Sequence, residues 1–276
     1  MSYSPVGKTR VYVQKNVFLS SEADAGIAVL TLNRPAAMNA LGVRLLSQLS
    51  TCLAQLETEP DLARVLIVRS AVAGVFCAGA DLKERAAMKP QEVRAFVNAL
   101  RATFTRLEHL PMPTIAAIDG AALGGGLELA LAADLRVVGG AKARLGVPET
   151  RLAIIPGAGG TQRLTRVVGL AKAKELAFTA TPVGPDEAVR IGLANRAASE
   201  GRSAYDEALH LAQAMLPAGP IAMRMAKVAI HQGSQMDQAS GMILEQQCYA
   251  QVIQTEDRLE GLNAFREKRK PVFHGR

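Results

Sequence analysis

Residues 118–135 read IDGAALGGGLELALAADL, which predicts the end of a strand, a run of three glycines and then a helix. From Leu127 to Ala133 this helix is apolar on every side except at Glu128. A helix that is hydrophobic all round is buried, and a buried carboxylate without a partner is costly. Glu128 is therefore a candidate functional residue. The glycines would expose backbone N–H groups to a ligand at a positive helix end, or would allow tight packing of the helix.

Around this stretch, strand-like runs alternate with helical spacing, which is typical of an α/β fold. The runs 11–13 and 17–19 look like part of one first strand, and further strands are predicted at 27–32, 64–69, 113–119 and 135–140. Helical spacing occupies 45–56 and 91–110. From about Leu170 onward only helical patterns remain. We therefore predict an α/β core over residues 1–205 and a helical C-terminal region over residues 206–276.

Composition narrows the function classes. The 276 residues carry a net charge of +7, which favours anionic partners such as nucleic acid, a membrane surface or a phosphorylated small molecule. From the charge alone, a solubility surplus with no specific partner is the favoured explanation. The chain has no apolar run of transmembrane length, and its first twenty residues lack the apolar core of a secretory signal. No membrane partner is expected.

The three cysteines, Cys52, Cys77 and Cys248, are scattered, and no histidine lies near them in zinc spacing. This pattern predicts reduced thiols, no metal site and a reducing intracellular compartment, either the mitochondrial matrix or the cytoplasm.

The glycine-rich segments do not match the loops that bind dinucleotides or nucleoside triphosphates. Both LGGGLE and GAGGTQ lack the third glycine of GxGxxG, and no GxxxxGK[ST] occurs, so no cofactor is predicted.

Two further segments carry residues that suit one reaction. GVFCAGADLKER (74–85) places small residues before a predicted helix start at Asp81, which offers a second exposed N–H group. Glu149 follows Pro148 at a predicted turn, 21 residues after Glu128. In isolation, Glu149 is better explained as a solvated cap residue, whereas the apolar neighbours of Glu128 weaken its explanation as an acid of the first helical turn. Together, paired carboxylates and N–H donors would suit addition of water to a double bond conjugated to a carbonyl group.

Four motifs in this order resemble the enoyl-CoA hydratase/isomerase (crotonase) family: NRPAAMNAL (33–41), FCAGADLKE (76–84), IDGAALGGGLELALAADLR (118–136) and IIPGAGGTQRL (154–164). Within it, the chain resembles the methylglutaconyl-CoA hydratases, which include AU-rich-RNA-binding members, and the enoyl-CoA hydratase domain-containing proteins. The resemblance implies a spiral of ββα units and a helical C-terminal trimerisation region. It also implies a homotrimer or a dimer of trimers, and an acyl-CoA substrate that itself supplies the coenzyme A.

The resemblance implies a role for individual residues. Ala80 and Gly125 match the oxyanion-hole donors, and Gly157 matches a position that places water. Glu128 and Glu149 match the catalytic pair, with Glu149 delivering a proton to the α-carbon. The implied CoA-binding residues are Ala37, Met38, Ala78, Ala80, Leu82, Phe265 and Lys268, and in the family the last two often act across a subunit boundary.

Both glutamates favour a 2-enoyl-CoA hydratase, with 3-methylglutaconyl-CoA as a candidate substrate. An isomerase or another acyl-CoA lyase of the same fold is the first alternative. An RNA-binding module on a hydratase scaffold is the second. The RNA-binding relatives carry lysines at helical spacing on the helix after NRP, whereas this chain has Arg44, Gln48 and Cys52 there. RNA binding is therefore not carried over to this chain.

Overall fold

A computed structural model of the chain describes residues 9–13, 15–22, 26–59 and 62–276. Of the segment used above to exclude a secretory signal, residues 1–8 and 14 lie outside this description. The strands are β1 (Thr9–Val13), β2 (Val17–Glu22), β3 (Ile27–Leu32), β4 (Val65–Ser70), β5 (Val75–Cys77), β6 (Thr114–Ile118), β7 (Ala121–Leu123), β8 (Leu135–Val138), β9 (Arg144–Gly146) and β10 (Arg196–Ala197).

The helices frame these strands and dominate the C-terminal third. They are α1 (Val43–Thr58), α2 (Leu82–Ala87), α3 (Pro90–Glu108), α4 (Gly125–Leu131), α5 (Gly160–Val168), α6 (Leu170–Thr179), α7 (Pro185–Arg190), α8 (Ala204–Met215), α9 (Pro220–Gly233), α10 (Gln238–Ile253) and α11 (Glu256–Glu267). None of the described helices is long and apolar enough to cross a membrane. All three cysteines are free and buried.

Two sheets organise the core. The larger has the strand order β1-β2-β3-β4-β6-β8-β10, and the smaller has the order β5-β7-β9. The pairs β1–β2 and β2–β3 are antiparallel, and the other pairs of both sheets are parallel. Successive strands alternate between the sheets, since β4, β6 and β8 belong to the larger and β5, β7 and β9 to the smaller. A helix follows each pair, which gives the predicted ββα repeat.

Burial explains why these elements pack as they do. Leucines along α1 at positions 45, 49, 53 and 56 are buried, as their helical spacing predicts. The central strands β4 and β6 are buried on both faces, because alternate residues belong to two separate core clusters: Leu66 and Val68 to one, Val65 and Ile67 to the other. On one face, Ala204, Ala208 and Ala212 of α8 pack against Val65 and Ile115. The predicted boundary at 205/206 falls inside α8, a helix that packs on the larger sheet.

Several elements differ from the prediction. Residues 11–13 and 17–19 belong to two antiparallel strands rather than one. The strands β5, β7, β9 and β10 were not predicted, because segments of two to three residues carry too little periodicity. The nine-residue helix α5 was not predicted either. Helix α4 begins at Gly125, inside the glycine run. At the next position, Gly126, a Cβ would collide with the carbonyl oxygen of Cys77. Close packing of α4 on β5 therefore requires this glycine.

Candidate active site

A cavity of about 410 Å³ lies where the first turn of α4 meets the segments after β5 and β9. Its lining includes all five residues predicted for catalysis, the oxyanion hole and water placement, namely Ala80, Gly125, Glu128, Glu149 and Gly157. They come from three parts of the chain, and adjacent strands of the smaller sheet bring them together. Glu128 follows β7 and Glu149 follows β9, as expected for neighbouring units.

Glu128 is 3 % exposed and is held by the loop before α5. Its Oε1 accepts hydrogen bonds from the backbone N–H groups of Ala158 at 2.8 Å and Gly160 at 2.7 Å. Burial raises the pKa of Glu128 because desolvation disfavours the charged form, whereas these two N–H donors and the nearby arginines Arg163 and Arg101 oppose that rise. The buried carboxylate thus has the partners it needs.

Glu149 lies in a short 3-10 turn, Pro148–Leu152, and is 8 % exposed. Its Oε2 is buried and has no hydrogen-bond partner among the described residues. Burial, with a further contribution from the negative charge of Glu128, raises the pKa of Glu149 to about 7. Its Oε1 lies 2.9 Å from the point that a Cβ on Gly124 would occupy. Glycine at 124 therefore gives the carboxyl group its place, and its φ of +52° suits glycine as well.

The amide nitrogens of Ala80 and Gly125 lie close to each other in the lining of the cavity. The ideal Cβ position of Gly125 is 3.8 Å from the amide nitrogen of Ala80, and that of Gly79 is 3.5 Å from the amide nitrogen of Gly125. Within the described parts of the chain, neither N–H group donates to a protein acceptor. Gly125 opens α4, so its N–H points out of the helix, as the first N–H groups of a helix do.

Two arginines that the sequence analysis missed support the loop around Glu128. Arg101 donates from Nε to the carbonyl oxygen of Gly157 at 2.5 Å, and Arg163 donates from Nη1 to that of Ala158 at 3.1 Å. The Nε of Arg163 also donates to Oε1 of Glu108 at 3.0 Å. Gly159, with φ of +108°, leaves the space that this guanidinium occupies. An arginine four residues after a glycine is too common a spacing to predict this arrangement.

The predicted CoA-binding residues divide into two groups. Ala78, Ala80 and Leu82 line the cavity. Met38 lies next to it, since its carbonyl oxygen accepts from the N–H of Ala78 at 3.1 Å, and Ala37 precedes it in the same turn. Phe265 and Lys268 lie at the end of α11 and do not line the cavity, and Phe265 is 87 % exposed.

In the described residues no group of three or more His, Cys, Asp or Glu side chains forms a metal site.

The model of the enoyl-CoA hydratase/isomerase family matches residues 22–276. The chain belongs to that family. Rattus norvegicus methylglutaconyl-CoA hydratase, mitochondrial, is 52 % identical over 257 residues, covering 92 % of this chain and 81 % of that protein. Mus musculus enoyl-CoA hydratase domain-containing protein 2, mitochondrial, is 55 % identical over 254 residues, covering 91 % of this chain and 85 % of that protein.

The fold agrees with enoyl-CoA hydratase/isomerase family structures. The crystal structure of enoyl-CoA hydratase from Bacillus anthracis superimposes with a TM-score of 0.88 at 43 % identity, covering 98 % of this chain and all of that one. The predictions of an α/β crotonase fold and of a hydratase-class enzyme are thereby confirmed. The roles of individual residues stay predictions, which the geometry of the cavity supports for Glu128, Glu149, Ala80 and Gly125.

Proposed function

We propose that the chain adds water across the 2,3 double bond of a 2-enoyl-CoA thioester. One observation supports this proposal above the others: two carboxyl groups share a cavity with two backbone N–H groups that have no protein acceptor in the described residues. Donors of this kind stabilise the oxyanion that develops when a thioester carbonyl becomes an enolate. The net charge of +7 suits the phosphates of CoA, and the substrate's own CoA is the only cofactor in this proposal.

The environments of the two glutamates suggest how they divide the work. Two backbone N–H donors oppose the rise that burial causes in the pKa of Glu128, and we assign this residue the role of the base that takes a proton from water as the oxygen bonds to C3. Glu149 has a pKa of about 7, so at neutral pH a large part of it is protonated and can give that proton to C2. The enolate oxygen rests against the N–H groups of Ala80 and Gly125. Proton exchange with solvent then returns both glutamates to their starting states.

The test is a hydration assay with recombinant full-length protein, which follows loss of the conjugated thioester absorbance. Glu149→Gln is expected to lower turnover by roughly two or more powers of ten while CoA-ester binding persists. Glu200→Gln, which changes an exposed loop glutamate, is the matched control and retains activity. Unchanged turnover in Glu149→Gln would reject this mechanism.

The isomerase alternative shares the family name, so it needs its own discriminating measurement. Hydration in heavy-oxygen water places the label in a product hydroxyl group, whereas double-bond migration incorporates none.

RNA binding has no support in the described structure. Gln48 and Cys52 of α1 are buried, and Gln48 accepts from the N–H of Asn16 at 3.0 Å, so this face of α1 is not available to a nucleic acid.

We further propose that the chain forms a homotrimer or a dimer of trimers through its C-terminal helices. In the single chain these helices expose large apolar side chains, and monomers rarely expose contiguous apolar surface on this scale. They are Met242, Ile243, Tyr249 and Ile253 on α10 and Leu259, Leu262 and Phe265 on α11. Such an assembly could bring Phe265 and Lys268 to a neighbouring cavity. Sedimentation at micromolar protein should give three or six copies, and a monomer would reject this proposal.

The names of the relatives place them in mitochondria. A mitochondrial matrix location is therefore the one we propose for this chain. Its three cysteines are free rather than paired in disulfides, which suits a reducing compartment. Fractionation of cells that produce the full-length chain tests the location.

A further inference from the structure

Asn39 is a buried polar residue that has no part in the chemistry proposed above. Its exposed fraction is 0 %, and it does not line the active-site cavity. Burial of an amide side chain costs free energy unless its hydrogen-bonding groups find partners in the protein. The partners of Asn39 therefore indicate what this side chain holds in place.

The side chain of Asn39 ties the turn after β3 to the strands beside the cavity. Its Oδ1 accepts from the N–H of Arg34 at 2.7 Å, and its backbone N–H donates to the carbonyl oxygen of Arg34 at 3.0 Å. Its Nδ2 donates to the carbonyl oxygen of Phe76 in β5 at 3.0 Å and to Oγ of Ser70 in β4 at 2.8 Å. The φ of Asn39 is +55°, a left-handed value that asparagine adopts more readily than most residues other than glycine. The side chain thus closes the turn and fastens it to β5.

Leu41, at the end of this turn, sets the direction of the N–H group of Ala80. The N–H of Leu41 donates to the carbonyl oxygen of Gly79 at 2.7 Å, and the N–H of Asp81 donates to the carbonyl oxygen of Leu41 at 3.1 Å. The carbonyl group of Gly79 and the N–H of Ala80 belong to one planar trans peptide unit, in which they point in opposite directions. Because the Gly79 carbonyl faces Leu41, the N–H of Ala80 faces away from Leu41 and is left for a ligand.

We propose that Asn39 is a positioning residue for hydration, because it fixes the turn that carries Leu41 and so keeps the N–H of Ala80 directed at the thioester oxygen. This inference rests on the hydratase function proposed above. Asn39 and Leu41 are two residues apart, so a shift of the turn would move the N–H that holds the Gly79 carbonyl. Backbone donors stabilise an oxyanion best when they already point to the place where negative charge develops. Loss of the Asn39 side chain should therefore weaken binding of the transition state more than binding of the unreacted thioester.

The test compares Asn39→Gly with the unmodified full-length protein in hydration of 2-butenoyl-CoA and 3-methylglutaconyl-CoA. Glycine adopts a φ of +55° without strain, so this variant removes the side chain alone. Its kcat should fall on the order of 10-fold with little change in KM, since removal of an entire oxyanion-hole donor costs roughly 10²- to 10³-fold. Asn195→Gly is the matched control and should retain activity. The Oδ1 of Asn195 also accepts a backbone N–H, from Arg136 at 2.8 Å, but Asn195 does not line the cavity.

A spectroscopic measurement separates positioning from a simple loss of folded protein. Acetoacetyl-CoA is a 3-oxoacyl thioester that ionises to an enolate, and the enolate absorbs in the near ultraviolet. At saturating protein and fixed pH, the ratio of bound enolate to bound neutral thioester should be about 10-fold lower in Asn39→Gly than in the unmodified protein. A smaller folded fraction would reduce the amount of bound ligand but would leave this ratio unchanged. Urea unfolding measures the stability of each variant.

The outcomes distinguish this inference from the proposed function. If Asn39→Gly kept the kcat and the enolate ratio of the unmodified protein, Asn39 would have no positioning role, and the hydratase function would be unaffected. Equal losses in Asn195→Gly would also overturn the inference, because they would not depend on the turn. Failure of the unmodified protein to hydrate either thioester would instead reject the hydratase function itself.

A second variant decides the matter if Asn39→Gly does not fold. Ser70→Ala removes the Oγ that accepts from Nδ2 of Asn39 and leaves the asparagine in place. The enolate ratio should then fall by about two- to threefold, because one of the hydrogen bonds that hold the amide is lost. An unchanged ratio in Ser70→Ala would overturn the role of Asn39.

Discussion

Replacing Glu149 by glutamine should change how the stability of the protein depends on pH. The pKa of Glu149 is about 7 in the folded chain and close to its ordinary value of 4.5 when unfolded, because folding buries it near Glu128. Between these two values the folded chain holds more protons than the unfolded chain. The free energy of unfolding therefore falls as pH rises through this window. The full difference corresponds to roughly 3 kcal/mol at 1.36 kcal/mol per pH unit.

Urea unfolding at about pH 5 and about pH 8 measures this contribution, and the protein should lose about 2.5 kcal/mol more over that interval than Glu149→Gln does. Protein concentration is kept constant because assembly also affects stability. Carboxylates distant from Glu149 titrate in both proteins and cancel in the comparison, whereas Glu128 is coupled to Glu149 and its own titration is part of the measured difference. Glu200→Gln should follow the unmodified protein, since its side chain is exposed. If the free energy of unfolding of Glu149→Gln depended on pH in the same way as that of the unmodified protein, burial would not keep Glu149 protonated and the argument would be refuted.

Two further predictions concern the loop that holds Glu128. Arg163→Met removes a positive charge that lowers the pKa of Glu128, so the acidic limb of the plot of kcat/KM against pH should move to higher pH. Arg166 lies on the exposed side of α5, and Arg166→Met should leave this limb in place. If the acidic limb moved equally in both variants, the effect of Arg163 on the pKa of Glu128 would not be local. Gly159→Ala should lower the free energy of unfolding by about 1–3 kcal/mol, because Gly159 has a positive φ and the side chain of Arg163 packs against it. Gly201→Ala is the control and should cost less, because Gly201 also has a positive φ but the space around it is open. Equal losses in urea unfolding would contradict close packing of Arg163 against Gly159.

The strands β3, β4, β6 and β8 of the larger sheet and the long helices were predictable from their runs of apolar residues and from helical spacing. The strand at 27–32 and the helix at 91–110 appear almost where the spacing puts them. The smaller sheet was not predictable in this way. Its strands have three residues each, and they pair with segments more than twenty residues away, so no local pattern marks them. This sheet nevertheless places the active-site segments next to one another.

For the site, sequence reasoning reached Glu128 by itself, because a lone acid in an apolar helix needs a partner. Glu149 was a weaker candidate until the resemblance singled it out. The partners of Glu128, from Ala158 to Gly160, lie about thirty residues away in the chain, and Arg163 reaches them by a long side chain. Such contacts depend on where helices cross, which residue spacing does not specify.

The amino-acid order alone thus determined the α/β class, the buried acid at position 128 and the exposed N–H groups beside it, since helix periodicity and the cost of burying charge are local properties. Tertiary structure alone decided which residues line the cavity beside Glu149 and that its Oε2 has no hydrogen-bond partner among the described residues. Proximity across separate units arises from chain crossing and packing, and burial shifts a pKa only once that packing exists.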